Sequence, residues 1–200
     1  MTPARRLVLA SGSPARRRLL LEAGFAPDVV VSGFDEDAVS AESPSALVLA
    51  LAEGKADVVA ARADVQGAVV IACDSLLDVD GEVHGKPATV DEARGRLERL
   101  RGRHAVLRTG HCVIDTDSGT RAADVESTGV LFGQYDDAEL DAYLATGEAL
   151  EVAGSFTLDG RSAPMLDGIV GNHSNVIGLS LPMFRVLLGE VGVRWTDLWA

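Results

Sequence analysis

Three features are scarce or missing in this 200-residue sequence: cysteine, long apolar runs and positive charge. Its two cysteines, Cys73 and Cys112, are far apart and form no Cys-x-x-Cys arrangement, which argues against a disulfide framework or a zinc site and predicts two small buried strand residues. No apolar run approaches the ~20 residues of a membrane-spanning helix. The basic start Met1–Arg6 is not followed by the apolar core of a signal peptide. We therefore expect a cytoplasmic protein without a membrane partner.

Positive charge is scarce because 18 Lys and Arg face 30 Asp and Glu, a formal net charge of −12. A general nucleic-acid-binding protein would carry a basic excess, so binding of DNA or RNA through a basic first helix is the weakest functional hypothesis. Lysine is scarcer still: of the 18 basic residues, 16 are Arg and only Lys55 and Lys86 are Lys. A compact point charge at these two positions suits an anion, although coding bias towards Arg explains the composition equally well.

Strand and helix patterns alternate along the sequence. The predicted strands are Arg6–Ala10, Asp28–Val31, Val69–Cys73, a hairpin over Leu76–Val83, His104–Asp115 and Arg121–Phe132. Two predicted helices begin at Ser13-Pro14 and Ser43-Pro44, because Ser is a favoured N-cap residue and Pro a favoured first helical residue. Three further predicted helices cover Asp91–Leu100, Asp136–Leu144 and Leu181–Leu188. Gly154–Asn175 is expected to hold short strands and loops. Long antiparallel strands in the middle predict a mixed-sheet α/β protein, with one domain over residues 1–200.

The turn Ser11–Arg18 between the first strand and the first helix has the features of an anion-binding site. Backbone N–H groups at a helix N-terminus attract negative charge. Arg16, Arg17 and Arg18 lie in the first turn, where each cation costs roughly 0.3–1 kcal/mol unless an anion is bound. The alternative is a solvated basic face that needs no ligand.

Carboxylates occur in two further places. Asp35, Glu36 and Asp37 follow one another in a predicted loop, where they suit a hard divalent cation or form a plain solvated acidic loop. Asp74 follows the apolar run Val69–Cys73, and the carboxyl end of a strand is where α/β proteins commonly place catalytic groups. Asp74 would orient water, hold a metal or merely form a turn.

The two lysines lie in different predicted settings. Lys55 lies inside the second predicted helix among apolar neighbours, so its ammonium needs either a structural carboxylate or a phosphate. Lys86 lies in the loop Gly85-Lys86-Pro87, where a glycine permits close approach of a ligand. The Gly-rich segments 153–160 and 171–179 would let the backbone wrap a base or a sugar.

The order of these motifs resembles the Maf family of nucleoside triphosphate pyrophosphatases. The resemblance runs from about Arg6 to Leu188 through LASGSPARRRLL, DED, EGKA, ACDS, GKP, RTGH, AGSFTLDG and NVIGLSLP. It implies a mixed α/β fold of two lobes around a central cleft, related to inosine triphosphatases. It also implies metal-dependent cleavage between the α and β phosphates, with Mg²⁺ or Mn²⁺ as cofactor.

The resemblance further implies roles for individual residues. Asp74 would accept a proton and bind the metal with Glu36, while Ser11, Arg16, Lys55 and Lys86 would bind phosphate.

Three positions depart from the two specificity branches of the family. A dTTP/UTP-like branch has Arg, Thr and Gln at these positions, and a 7-methyl-GTP-like branch has Trp, Gln and Glu. This sequence has Ala15, Ser75 and Asp159, so the base is open, with pyrimidine triphosphates favoured and removal of non-standard nucleotides as a role. The alternative is a non-catalytic nucleotide-binding regulator of cell division or septum formation. A homodimer is one expectation for its assembly.

Overall fold

The computed structural model describes residues 5–200, which form a seven-stranded mixed sheet with six α-helices. The strands are β1 (Arg6–Leu9), β2 (Asp28–Val29), β3 (Ala68–Val79), β4 (Glu82–His84), β5 (His104–Asp115), β6 (Arg121–Phe132) and β7 (Leu166–Val170). The helices are α1 (Pro14–Glu22), α2 (Pro44–Ala60), α3 (Val90–Leu100), α4 (Asp137–Leu144), α5 (His173–Ile177) and α6 (Leu181–Glu190). The strand order is β2-β1-β3-β5-β6-β7, and β4 pairs with β3. The predicted mixed α/β class is confirmed.

The chain divides into two compact units. Unit 1 comprises the residues up to Asp74, Thr109–Glu126 and Gly178–Ala200. Unit 2 comprises Ser75–Arg108 and Ser127–Ile177. One domain over residues 1–200 stays a prediction. No helix in residues 5–200 combines the length and apolar character that crossing a membrane requires.

Unit 1 is organised around the short parallel strand β1, which pairs with β2 on one side and β3 on the other. Every residue of Ala68–Cys73 is buried, so both faces of this part of β3 are covered. Parallel strands covered on both faces carry continuous apolar runs, as this segment does. The apolar face of α2 joins this core through Ala52, Ala56 and Val59. Cys73 and Cys112 are buried thiols in strands, as predicted. Burial raises the pKa of Cys73 to about 12, so it packs as a small neutral side chain.

Unit 2 contains two antiparallel pairings, β3 with β4 and β6 with β7. The β3–β4 hairpin turns at Asp80-Gly81, where φ is 53° and 91°, as a tight two-residue turn with positive φ requires. The core of unit 2 includes the buried faces of α3 and α4. In it the rings of Phe132 and Phe156 pack edge to face, with 5.0 Å between their centroids. The predicted hairpin is therefore confirmed.

Two predictions of secondary structure are wrong in detail. The strand predicted to end at Cys73 continues through Asp74 and Ser75 as the single twelve-residue strand β3. Two polar residues interrupted the apolar pattern, but the carboxylate of Asp74 is bonded to Lys55 and does not force the strand to stop. The helix α5 begins at His173, inside the segment predicted as loops and short strands, and its five residues are too few to produce a helical periodicity.

Candidate functional site

The turn before α1 brings Ser11 and Arg16 together. Ser13 caps the helix by accepting from Arg16 N, and Pro14 occupies the first helical position, as predicted. The buried Ser11 Oγ accepts from Ser13 N at 3.2 Å and from Arg16 Nη1 at 3.1 Å. Arg16 Nε donates to Gly178 O at 2.7 Å, so the guanidinium is held from two sides. The Arg16 side chain is therefore fixed at the N-terminus of α1.

The other residues of the turn divide into two kinds. Ala15 is half-buried, whereas Arg17 and Arg18 are exposed. Arg18 lies 3.8 Å from Glu22 one turn along the helix, which is a surface contact of small energetic weight. The solvated basic face therefore describes Arg17 and Arg18, and Arg16 is the arginine of this group that is built into the turn.

Lys55 connects two carboxylates. Its Nζ lies 2.5 Å from Asp74 Oδ1 and 2.8 Å from Glu36 Oε1. The lysine is 8% exposed, and a charge so deeply buried requires partners of this kind. Of the two partners left open by the sequence, the structure shows carboxylates, and it gathers Glu36, Lys55 and Asp74 into one cluster.

An aromatic contact places the acidic loop against α2. The ring of Phe34 lies over Gly54, where an added Cβ would approach Phe34 Cε2 to 2.6 Å and Cε1 to 2.9 Å. Real Cβ atoms do not come so close, so glycine is required at this position for the ring to lie where it does. Because Phe34 precedes Glu36 by two residues and Gly54 precedes Lys55 by one, this contact sets the distance between the acidic loop and the lysine.

The turn with Ser11 and Arg16 lies near the Glu36–Lys55–Asp74 cluster in unit 1, and Cys73 lies close to both. Burial dominates the raised pKa of the Cys73 thiol, and the positive charges of Arg16 and Lys55 both oppose that rise. Strand pairing gives the geometric reason: Leu9 of β1 lies opposite Ile71 of β3, and Ala10 N donates to Ile71 O at 2.8 Å, so Ser11 leaves β1 beside the part of β3 that leads to Asp74. Unit 1 thus places the phosphate-binding candidates Ser11 and Arg16 near the Glu36–Lys55–Asp74 cluster.

Glu36 and Asp74 form a pair of carboxylates in unit 1, and their oxygens are hard donors of the kind that bind divalent cations. Within the described residues 5–200, no group of three or more His, Cys, Asp or Glu side chains is arranged to hold a metal ion. Asp35 and Asp37 of the predicted acidic loop are exposed. Any cation held by Glu36 and Asp74 would need the rest of its oxygen ligands from water or a substrate.

His111 supports the turn that holds Arg16, and sequence analysis missed this role. The imidazole is fully buried in β5, and its Nε2 accepts from Ser180 N at 2.8 Å. Burial lowers the pKa of His111 to about 3, with the charge of Arg16 adding to the effect, so the ring is neutral. The signal available in the sequence was a histidine directly before the apolar run Cys112–Ile114 in a long predicted strand.

Three predicted site residues lie in unit 2. Lys86 is exposed in the loop after β4, Ser75 is half-buried in β3, and Asp159 is exposed on a loop where its carboxylate accepts from Thr157 Oγ1. The backbone beside Lys86 makes one contact with another segment of unit 2, because Gly85 O accepts from Gly154 N at 3.1 Å. The GKP and AGSFTLDG segments are therefore bonded to each other within unit 2.

Comparison with known proteins agrees with these motifs. The family model described as Maf-like protein matches residues 6–191. A Streptomyces avermitilis protein named nucleoside triphosphate pyrophosphatase is 60% identical over 197 residues, which cover 98% of this chain and 96% of the relative. A Streptomyces coelicolor protein of the same name is 60% identical over 198 residues, covering 99% and 96%. A Salinispora tropica relative, also so named, is 49% identical over 198 residues, covering 98% and 88%. The chain therefore belongs to the Maf-like protein family.

Proposed function

We propose that this protein hydrolyses nucleoside triphosphates between the α and β phosphates, releasing a nucleoside monophosphate and pyrophosphate. The observation that carries the proposal is the Glu36–Lys55–Asp74 cluster beside the Ser11–Arg16 turn. An acid–base group, cationic charge and an anion-binding helix terminus are what phosphoryl transfer needs. The names of the relatives described above support the same activity.

Phosphate binding is assigned to groups whose charge or donors are already oriented. Ser11 and Arg16 would bind phosphate oxygens at the N-terminus of α1, where the helix dipole adds to the attraction. Lys55 and Lys86 would supply two compact positive charges that stabilise the negative charge on the transferring and leaving phosphates. In an acidic protein, these local cations are what makes a polyanionic substrate acceptable.

The residues present fit a divalent cation such as Mg²⁺ or Mn²⁺. Glu36 and Asp74 are the residues that would hold it, since Mg²⁺ is commonly bound by one or two carboxylates together with substrate phosphates. The bound cation would neutralise charge on the triphosphate and make a coordinated water more acidic. A pair of carboxylates, rather than a larger protein cage, suits that mode of binding.

Asp74 is proposed as the proton acceptor. An attacking water forms a new bond between its oxygen and the α-phosphorus, the bond from that phosphorus to the pyrophosphate oxygen breaks, and the water proton passes to the Asp74 carboxylate. Lys55 bonds Asp74 Oδ1, so the carboxylate is oriented and keeps a second oxygen for the proton.

Substrate choice is assigned to Ala15, Ser75 and Asp159. The small Ala15 leaves no bulky or charged wall, and an ionised Asp159 offers only acceptors, so it would read donor groups on a base edge. Pyrimidine triphosphates resembling dTTP and UTP are the favoured substrates, and removal of non-standard nucleotides is the proposed role. We place the enzyme in the cytoplasm. A homodimer stays a prediction that light scattering tests.

The test is product analysis over a panel of standard, methylated and oxidised nucleoside triphosphates with Mg²⁺, Mn²⁺ or Co²⁺. The expected products are nucleoside monophosphate and pyrophosphate in equal amounts. Release of nucleoside diphosphate and phosphate would contradict the proposed cleavage position. Nucleotide binding without any product across the panel would favour the alternative, a non-catalytic regulator of cell division or septum formation.

A further inference from the structure

An ion pair on α3 holds the loop that carries Lys86 on both flanks. Before Lys86, Gly85 O accepts from Arg96 Nη1 at 2.7 Å. After it, Ala88 N donates to Glu92 Oε2 at 2.8 Å. The two side chains are joined to each other, because Arg96 Nη2 donates to Glu92 Oε1 at 2.8 Å. One side-chain pair thus fixes the backbone immediately before and after the Lys86-Pro87 dipeptide.

Arg96 is buried although it is charged. Its side chain is 3% exposed, while Arg94 and Arg99 on the same helix are 36% and 60% exposed. A well-packed apolar side chain would fill such a position at lower desolvation cost. The planar guanidinium instead reaches several acceptors in fixed directions, which an apolar residue does not. The cost of burying Arg96 therefore points to a function for its hydrogen bonds.

The same guanidinium also holds the segment that leads to Asp159. Arg96 Nη1 donates to Ser155 Oγ at 3.1 Å. Ser155 is a non-glycine residue in the left-handed region, with φ of 68°, and is fully buried. Such a conformation persists only where the surroundings hold it, and Tyr143 OH donates to Ser155 O at 3.0 Å as a second restraint. Arg96 therefore joins the GKP loop to a strained turn within unit 2.

We propose that Arg96, assisted by Glu92, is a positioning residue that fixes the Lys86 ammonium for phosphate binding. The proposal rests on the proposed function for the role of Lys86. Lys86 follows a glycine and is exposed, so its own loop provides little restraint apart from Pro87. The Arg96–Glu92 pair supplies that restraint by bonding Gly85 and Ala88 to a rigid helix. Precise placement of such a charge matters because a shift of about 1 Å is able to cost about 100-fold in rate.

The kinetic test compares Arg96→Met with Arg94→Met. Both variants remove one arginine from α3, but Arg94 pairs with Glu98 and Asp141 and has no bond to the GKP loop. Met retains much of the buried volume of Arg96, and Gly154 N continues to bond Gly85 O. We expect kcat/KM for pyrophosphate release to fall at least ~10-fold in Arg96→Met and to change less than about twofold in Arg94→Met. Equal kcat/KM in the two variants would overturn the proposal.

Hydrogen exchange tests the restraint independently of activity. The Ala88 amide, bonded to Glu92, should exchange at least ~10-fold faster in Arg96→Met than in the wild type, and at the wild-type rate in Arg94→Met. Unchanged exchange in Arg96→Met would overturn the proposal even if activity fell. Faster exchange in a protein whose wild type hydrolyses no nucleotide would leave the restraint standing and remove the proposed function.

Amine labelling measures directly whether a bound nucleotide protects the side-chain amine of Lys86. The chain contains only two lysines, so mass spectrometry distinguishes Lys55 from Lys86 directly. A non-hydrolysable α,β-methylene triphosphate should protect Lys86 in the wild type and in Arg94→Met, and should protect it much less in Arg96→Met. Full protection of Lys86 in Arg96→Met would contradict the positioning role.

Discussion

Replacing Gly54 by Ala in α2 should make the helix itself more stable but displace the acidic loop that packs on it. Alanine is favoured over glycine inside a helix by roughly 0.5–1 kcal/mol. The new Cβ would lie 2.6 Å from Phe34 Cε2 and 2.9 Å from Cε1, closer than side chains tolerate. An overlap of this kind costs typically ~1–3 kcal/mol if the ring stays, so Phe34 is expected to move and to shift Glu36 with it.

The assay combines urea unfolding with steady-state kinetics over a range of Mg²⁺ concentrations. We expect Gly54→Ala to lose between zero and about 2 kcal/mol of unfolding free energy, because the two effects partly cancel. Activity should fall by roughly tenfold or more, with a higher Mg²⁺ requirement, because Glu36 leaves Lys55 and Asp74.

Gly95→Ala provides the matched control. Gly95 lies inside α3, and no atom would lie within 4 Å of an added Cβ there. This variant should gain roughly 0.5–1 kcal/mol and keep its activity. A Gly54→Ala protein that is stabilised and active to the same extent as Gly95→Ala would contradict the role of the Phe34–Gly54 contact in placing the acidic loop. Phe34→Ala in the Gly54→Ala protein should restore stability without restoring activity, because the overlap and the loop contact are removed together.

Two further substitutions test the site and its support. Lys55→Met leaves the Asp74 carboxylate without its ammonium, so unfolding free energy should fall by about 3 kcal/mol in urea and turnover by at least ~100-fold; wild-type values in both would contradict the assigned pairing. His111 has a folded pKa of about 3, below its unfolded value, so its contribution is complete above about pH 6.5 and is lost towards pH 3. His111→Gln should remove about 2–3 kcal/mol of the stability difference between about pH 7 and pH 4.5, and an unchanged difference would contradict it.

Local signals in the sequence were enough for the elements that they control. Ser13 and Ser43 accept from backbone N–H groups three residues on, so both predicted helix starts are confirmed. The bounds predicted for the two long strands His104–Asp115 and Arg121–Phe132 agree with β5 and β6. These features depend on neighbouring residues, which is why composition and spacing predicted them.

Contacts between residues far apart in the sequence were harder to predict. The sequence left the partner of Lys55 open, because only the fold brings Glu36 and Asp74 to the same ammonium. Phe34 and Gly54 carry no pattern that relates a loop to the inside of a helix. Arg96 did leave a signal, since it shares the apolar helical face with Ala93, Leu97 and Leu100, and a charge on that face predicts a buried partner.

Pyrophosphate release by Asp74→Asn at saturating nucleotide and Mg²⁺ is the measurement that decides whether Asp74 accepts the proton of the attacking water. Asn keeps the size of the side chain and an acceptor for Lys55, but it does not take up the proton of the attacking water. We expect turnover at least ~100-fold below the wild type, while nucleotide affinity, measured by calorimetry, stays within about tenfold of it. Near-wild-type turnover would remove Asp74 from the chemistry and with it the proposed mechanism.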